Sequence, residues 1–522
     1  MQLDYDYVII GSGFGGSVSA LRLSEKGYKV LIIEKGRWYE GKDFPKTNWD
    51  LKKWMWAPKA KLYGFFKMTF LNHVTVLSGV GVGGGSLTYA NTLPIPKTDF
   101  YKTGSWSNLR NWELNLKPFY KIAYKMLGAT ENTQLFEADE LIKDLANDIG
   151  KEAHFETTKV AVYFGEPGKK VSDPYFEGKG PDRTGCIYCG ACMTGCRHNA
   201  KNTLDKNYLY FAQQLGAKII AEKEVIDVSV LGNIDGSDGY KVTFKTSIGK
   251  SKKGSVTTKG VIFSGGVMGT VPLLLKLKEQ SLPNLSDAVG KQIRTNNESL
   301  LLITSTEEES KDYSKGIAIG SILHTDENSH LEPVRYGQGS SFSKALTVPS
   351  VNHKFLLFRL FGIVGLFFKQ PGRFIKTIFS KNYAKRTTIL LFMQTLDSTL
   401  QLKLGKFTKM KTVTESGPKP SAFIPEAVSL ANKVAEKIKG IPYANFTDSL
   451  FGAPTTAHIL GGAVMAEDKS KGVLDKNNNV FGYKNMMVCD GAMISANPGV
   501  NPSLSITAIT EHAMSKIDSK SK

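Results

Sequence analysis

Two groups of residues in this chain have the types and spacing of reactive chemistry. The first stands at the start, where Tyr7-Val8-Ile9-Ile10 runs into Gly11, Gly13 and Gly16. The apolar run reads as a buried parallel strand, and the glycines follow the G-x-G-x-x-G pattern. There Gly11 permits the tight turn, and Gly13 lets a pyrophosphate approach the backbone. Gly16 lets the next helix pack on the strand and present its positive N-terminus to the phosphates. A helix over 17–26 and a strand over 29–34 follow, which puts Glu34 where a carboxylate accepts hydrogen bonds from a ribose. Strand, glycines, helix, strand and terminal acid together predict a dinucleotide site; the glycines alone would fit any glycine-rich turn. The second group is Cys186-x2-Cys189-x2-Cys192-x3-Cys196. Its gaps are those of bacterial ferredoxins, and they let successive thiolates converge on one [4Fe-4S] cluster. Arg197 replaces the usual proline, and no second set of cysteines exists. Three readings stay open: an iron–sulfur cluster, a zinc ion, which usually takes two separated pairs, or structural cysteines, reduced or disulfide-bonded.

These groups need a scaffold, and 522 residues suffice for two or three domains. The 41% hydrophobic content fits a water-soluble globular protein. The first strand begins almost at Met1, so no secretory signal is expected ahead of it. A net charge of +19 fits nucleic acid, an anionic membrane or simple solubility. No nucleic-acid motif accompanies it, and nucleic acid is excluded as a partner. Residues 38–75 are aromatic-rich and irregular. The loop Gly79-Val80-Gly81-Val82-Gly83-Gly84-Gly85-Ser86-Leu87 suits a backbone pressed against something flat or anionic, the alternative being a flexible loop. Helices are expected over 112–127, 137–149, 202–215, 270–277 and 424–440. Strands are expected over 218–221, 225–230, 240–246 and 260–266, with β-like alternation in 300–345 and 387–413. This order describes an α/β nucleotide domain with an inserted β-meander and a second domain.

The last seventy residues complete the pattern. They hold Ala457-His458-Ile459-Leu460-Gly461-Gly462, then Val488-Cys489-Asp490-Gly491-Ala492, then Pro498-Gly499-Val500-Asn501-Pro502 opening a helix. With the N-terminal fingerprint, the glycine loop and Lys201-Asn202-Thr203-Leu204-Asp205-Lys206-Asn207-Tyr208-Leu209, the chain resembles the glucose–methanol–choline (GMC) oxidoreductases. Within them it looks most like the cholesterol oxidase branch. The resemblance covers nearly the whole chain. It departs at Ile459, where proline is usual, at Tyr89, where that branch has asparagine, and in the cysteine cluster.

The resemblance implies FAD-dependent alcohol oxidation on an α/β fold. That fold is a Rossmann-type FAD-binding domain plus a substrate domain with a mainly antiparallel sheet and helices. The FAD-binding domain would comprise residues 1–110, 185–300 and 450–522. The substrate domain would comprise 111–184 and 301–449. His458 would be the catalytic base, Asn501 its partner, and Glu332 the proton carrier of a steroid isomerisation. Gly83, Gly84, Gly85 and Ser86 would face the cofactor, Val225 would hold the adenine through its backbone, and Asp490 and Gly491 the ribityl chain and flavin. The chemistry of the side chains agrees. Oxidising an alcohol by hydride transfer needs a base for the hydroxyl proton, and histidine near its own pKa suits that task. The amide of Asn501 can orient the hydroxyl. The implied substrate is a hydrophobic alcohol, with a 3β-hydroxysteroid as one such compound.

Residues 355–368, Phe-Leu-Leu-Phe-Arg-Leu-Phe-Gly-Ile-Val-Gly-Leu-Phe-Phe, form the most apolar stretch. Fourteen residues with an internal arginine are too short to span a bilayer. No acid occurs from Lys354 to Leu396, while Lys369, Arg373, Lys376, Lys381, Lys385 and Arg386 recur. The segment 353–386 is therefore expected to be an interfacial helix on anionic lipid, with a buried lid or oligomer contact as the alternative. The protein is expected in the cytoplasm, peripheral on a membrane. Its electrons would go to oxygen or, if the cysteines hold a cluster, from an iron–sulfur flavoprotein dehydrogenase to an acceptor protein.

Overall fold

A computed structural model describes residues 2–307, 311–351, 353, 355–405, 410–415 and 417–521. Two sheets carry the fold. In the first, Tyr5–Ile10 lies between Val30–Ile33 and Lys253–Phe263, all parallel, with Lys218–Ile220 outside Val30–Ile33. The residues Val8, Ile9, Val30 to Ile33, and Val261 to Phe263 are buried without alternation, as a sheet covered on both faces requires. Met486–Val488 pairs with the end of Lys253–Phe263. The start of that long strand pairs instead with Tyr240–Thr246, which continues antiparallel to Lys223–Val230. This is the expected meander, built onto the Rossmann-type sheet. The first helix, Phe14–Glu25, begins at Gly13 and has no acid in its first turn.

The second sheet is mainly antiparallel and runs Thr347–Pro349, Gly440–Asn445, Ser299–Ser305, Thr387–Gln394, Ser329–Val334, Ser321–His324, Phe155–Thr157. Register places Leu300 opposite Leu391, Leu302 opposite Ile389, and Glu332 opposite Leu391. Residues opposite one another share a face. One face, with Leu301, Ile303, Leu331, Leu390 and Phe392, packs on the helices Glu137–Asp148 and Pro425–Lys437. The other, with Leu302, Val334, Ile389 and Leu391, looks toward the first sheet.

The segment 111–184 divides between the two units. The helix Trp112–Met126 buries Trp112, Leu116, Tyr120 and Ala123 in the same core as the first sheet. It lies along the C-terminal helix Ser503–Met514, with the Tyr120 and Ser505 hydroxyls 3.0 Å apart. The reading that gave all of 111–184 to the substrate side needs correction here. An amphipathic helix shows that it has an apolar face, and not which core receives it.

Candidate active site

A single cavity of about 740 Å³ runs from the nucleotide fingerprint to the face of the second sheet. Gly11 and Gly13 line its first end. Gly11 has φ +101°, and a Cβ there would stand 2.4 Å from the Ser264 carbonyl oxygen. Gly84, at φ +52°, brings the glycine loop against the fingerprint, where a Cβ would meet Gly13 Cα at 2.6 Å. The two glycine segments therefore form one narrow cradle. Gly84 and Gly85 face the cavity. Ser86 supports the loop from behind: its hydroxyl donates to the Gly83 carbonyl at 2.7 Å and accepts from Leu204 N–H at 3.1 Å. Gly16 also acts from behind, since a Cβ there would strike the Gly11 carbonyl.

Glu34 is buried in the wall. One carboxylate oxygen accepts from Ser12 N–H and hydroxyl at 3.1 and 2.8 Å, the other from Gly36 N–H at 2.8 Å. Beside it Lys35 and Lys67 line the cavity. The charge of Lys35, with burial, lowers Lys67 to about 7. Two lysines on the wall, a helix N-terminus without a side-chain cap and a glycine cradle fit an anionic dinucleotide such as FAD, whose phosphates would favour the charged form of Lys67. Val225 lines the same region. Asp490 accepts from Gly266 N–H at 2.9 Å, Thr270 hydroxyl at 2.5 Å and Ala492 N–H at 2.8 Å. Burial pushes its carboxyl up to about 6. Gly491 follows in the wall.

The other end gathers four polar groups from distant parts of the chain. His458 Nδ1 is 3.1 Å from Glu298 Oε2, and its Nε2 is 3.4 Å from Asn501 Nδ2. Asn501 Nδ2 is in turn 3.4 Å from Glu332 Oε2. The Glu298 carboxylate requires a proton on Nδ1, which leaves the Nε2 lone pair toward the Asn501 amide and the cavity. Burial works to lower the imidazole pKa, but the charge and hydrogen bond of Glu298, with Glu332 beyond, raise it above the ordinary value. Glu298 is 2% exposed and is fixed by the Thr456 hydroxyl and by Ala457 N–H. Sequence reasoning missed it. Its only signal is an acid in Asn296-Asn297-Glu298 directly before a buried strand.

The structure brings His458, Asn501 and Glu332 together, but their positions differ. His458 and Asn501 line the cavity, whereas Glu332 lies behind Asn501 with no exposed surface. Its Oε1 makes no hydrogen bond but stands 3.5 Å from His330 Nε2, and Asn501 Oδ1 has no hydrogen-bond partner. Around them the cavity is apolar, with Leu300, Leu302, Val334, Ile389 and Leu391 from one sheet face. Tyr89 lines it too, its ring 5.4 Å from that of Phe14 and its hydroxyl donating to the Asn202 carbonyl at 2.8 Å.

The four cysteines are free and, with His198 and Lys201, line a separate cavity of about 20 Å³. Burial pushes the Cys192 thiol up to about 11 and Cys186 higher still. Among the described residues no group of three or more His, Cys, Asp or Glu is arranged to hold a metal ion. Lys201 connects the two regions. Its Nζ, whose pKa burial lowers to about 7, donates to the carbonyls of Leu87, Tyr89 and Cys192 at 3.1, 2.9 and 2.9 Å.

Sequence comparison bears on the same residues. Models of the GMC oxidoreductases match residues 179–291 and 417–510, and a model of the NAD(P)-binding Rossmann-like domain matches 9–39. A cholesterol oxidase of Acinetobacter baumannii is 44% identical over 99% of this chain and 95% of its own. One of Mycobacterium tuberculosis (strain H37Rv) is 40% identical over 99% and 91%. Among solved structures, pyridoxine 4-oxidase from Mesorbium loti superimposes with a TM-score of 0.62, at 14% identity, over 98% of both chains; at that identity it shows the fold alone. Identity sustained along almost the whole length carries the assignment: the chain belongs to the GMC oxidoreductases, FAD-dependent enzymes that oxidise CH–OH donors.

Proposed function

We propose that the substrate is a hydrophobic alcohol of the 3β-hydroxysteroid class, cholesterol included, which leaves as the ketone. The observation that carries this reading is the His458–Asn501 pair set at the end of an apolar sheet face. His458 Nε2 takes the hydroxyl proton, while Glu298 holds the ring and stabilises the imidazolium. The Asn501 amide orients the alcohol oxygen. Bound FAD supplies the acceptor for the hydride. Gly11, Gly13, Glu34, Gly84, Gly85, Val225, Asp490 and Gly491 would hold it, with Gly16, Gly83 and Ser86 shaping the cradle. Glu332, buried behind Asn501 with its second oxygen 3.5 Å from His330 Nε2, would carry a proton between ring carbons when the double bond moves, by turning past the Asn501 amide into the cavity. The names of the curated relatives support both the sterol and molecular oxygen as electron acceptor.

The test is anaerobic mixing with cholesterol in detergent micelles and, separately, with a straight-chain primary alcohol. The expected outcome is rapid flavin bleaching by the sterol alone. Equal bleaching by the straight-chain alcohol would overturn the substrate class. A second reading has one observation in its favour. Four cysteines around one small cavity, in ferredoxin order, would suit an iron–sulfur dehydrogenase that feeds an acceptor protein. Iron and acid-labile sulfide in anaerobically purified protein would support it; their absence would leave oxygen as the acceptor.

A further inference from the structure

The segment 353–386 folds as two short helices, Leu356–Lys369 and Pro371–Ile378. The first is inverted relative to an ordinary surface helix. Its internal charge points in: Arg359 is 9% exposed and donates to the backbone carbonyls of His353, Ser449 and Leu450, which leaves only the terminal Lys369 charged and exposed. Its phenylalanines point out. Phe358, Phe361 and Phe368 are 54%, 62% and 74% exposed, with Leu357 and Val364 among them. The second helix adds Ile375 and Ile378, and Phe379 follows at 77%. The patch continues onto Phe451, which is 67% exposed. Single exposed apolar residues are ordinary; a contiguous field of this kind marks a contact surface.

The surrounding charge points to one occupant. Lys369, Arg373, Lys376 and Lys381 are exposed beside the patch. Among the described residues none of the four has an ion-pair partner, in contrast to Lys385, which faces Asp312 at 3.8 Å. A protein partner of ordinary composition would not need a uniformly basic rim, whereas an anionic bilayer supplies hydrocarbon and negative headgroups together. No described helix is long and apolar enough to cross a membrane, so the segment would lie on one. It also sits beside the active-site wall. Phe374 packs into the cluster of Leu302, Ile389 and Leu391, and Thr377 and Tyr443 share a 2.6 Å hydrogen bond.

We propose that residues 355–381 dock the enzyme on the surface of an anionic lipid bilayer, phenylalanines inserted and lysines on the headgroups. This goes beyond the choice of substrate, because an enzyme for any water-insoluble alcohol would gain the same contact. The test is co-sedimentation of the FAD-loaded protein with sterol-free vesicles, of phosphatidylcholine alone and with added phosphatidylserine. Binding is expected to rise with phosphatidylserine and to fall as salt goes from about 0.05 to 0.5 M, where charges are screened within a few ångström. Phe361→Ser with Phe368→Ser is expected to weaken binding about tenfold or more at every salt concentration, since it removes buried apolar area and no charge. Arg373→Gln with Lys376→Gln should weaken binding to anionic vesicles only. Both variants should keep full FAD and oxidise detergent-solubilised alcohol, which separates a failed docking surface from a failed substrate assignment. A parent protein that stays in the supernatant with anionic vesicles at low salt overturns the proposal. So does an oligomer that the serine substitutions dissolve while no vesicle is bound.

Discussion

The chain holds two clusters of reactive side chains, and they are opposites in construction. The cysteines stand within eleven residues of one another, yet no metal-ready group forms among the described residues. Glu298, Glu332, His458 and Asn501 are scattered over two hundred residues, yet they form a row with contacts of 3.1 to 3.4 Å. The difference lies in what holds each group. The cysteines ride on a loop with one short 3-10 turn, Cys192–Thr194. Glu298 and Glu332 are pinned at the start and middle of paired strands, and Asn501 directly before a buried helix. Close spacing advertises convergence; rigid elements produce it.

Three substitutions probe that contrast, in descending order of effect. His458→Ala should lower alcohol-dependent flavin reduction by about 10²–10⁴, the range for a positioned base, with FAD content unchanged. Reduction at the parent rate would show that the row is structural only. Glu298→Gln should cost about tenfold, roughly 1.4 kcal/mol of lost stabilisation of the imidazolium, and should also move the pH profile. Glu298 raises the His458 pKa, and only the unprotonated ring is a base. Activity therefore falls as pH drops through that raised value, and removing the carboxylate charge should shift this acidic limb to lower pH. A rate profile that keeps its acidic limb in place would detach Glu298 from the row. Cys189→Ser should change alcohol oxidation by less than about twofold, within the range of a substitution outside the reacting groups. A loss of iron with a large loss of turnover would break the contrast and make the two clusters one redox unit.

How far the site can be read from sequence follows the same division. The fingerprint, Glu34 and the Asp490-Gly491 pair are legible because each is a contiguous motif whose geometry is local. His458 and Asn501 are legible through their flanking glycines and prolines and the family pattern. Glu298 is not, because its role comes from the pairing of Ser299–Ser305 with two distant strands. Within the glycine loop, sequence treats Gly83 to Ser86 alike; only packing separates Gly84 and Gly85 at the surface of the cavity from the two behind. Within the segment 353–386 two helices form, and the inside-out polarity of the first is invisible to a hydrophobic pattern, since Arg359 reads as a solvent-facing charge until its backbone acceptors are placed.

Lys201 gives the molecule a mechanical property. One nitrogen and three carbonyls, two on the cofactor loop and one in the cysteine turn, make a rivet. Neither loop can lift without taking acceptors away from a buried nitrogen, so the two should open as one unit in hydrogen exchange, their amides sharing a single protection level. Lys201→Met, of similar length and without donors, would cut the rivet and let the two loops exchange at separate rates. A cofactor that seals one loop would, through this side chain, also quieten the other.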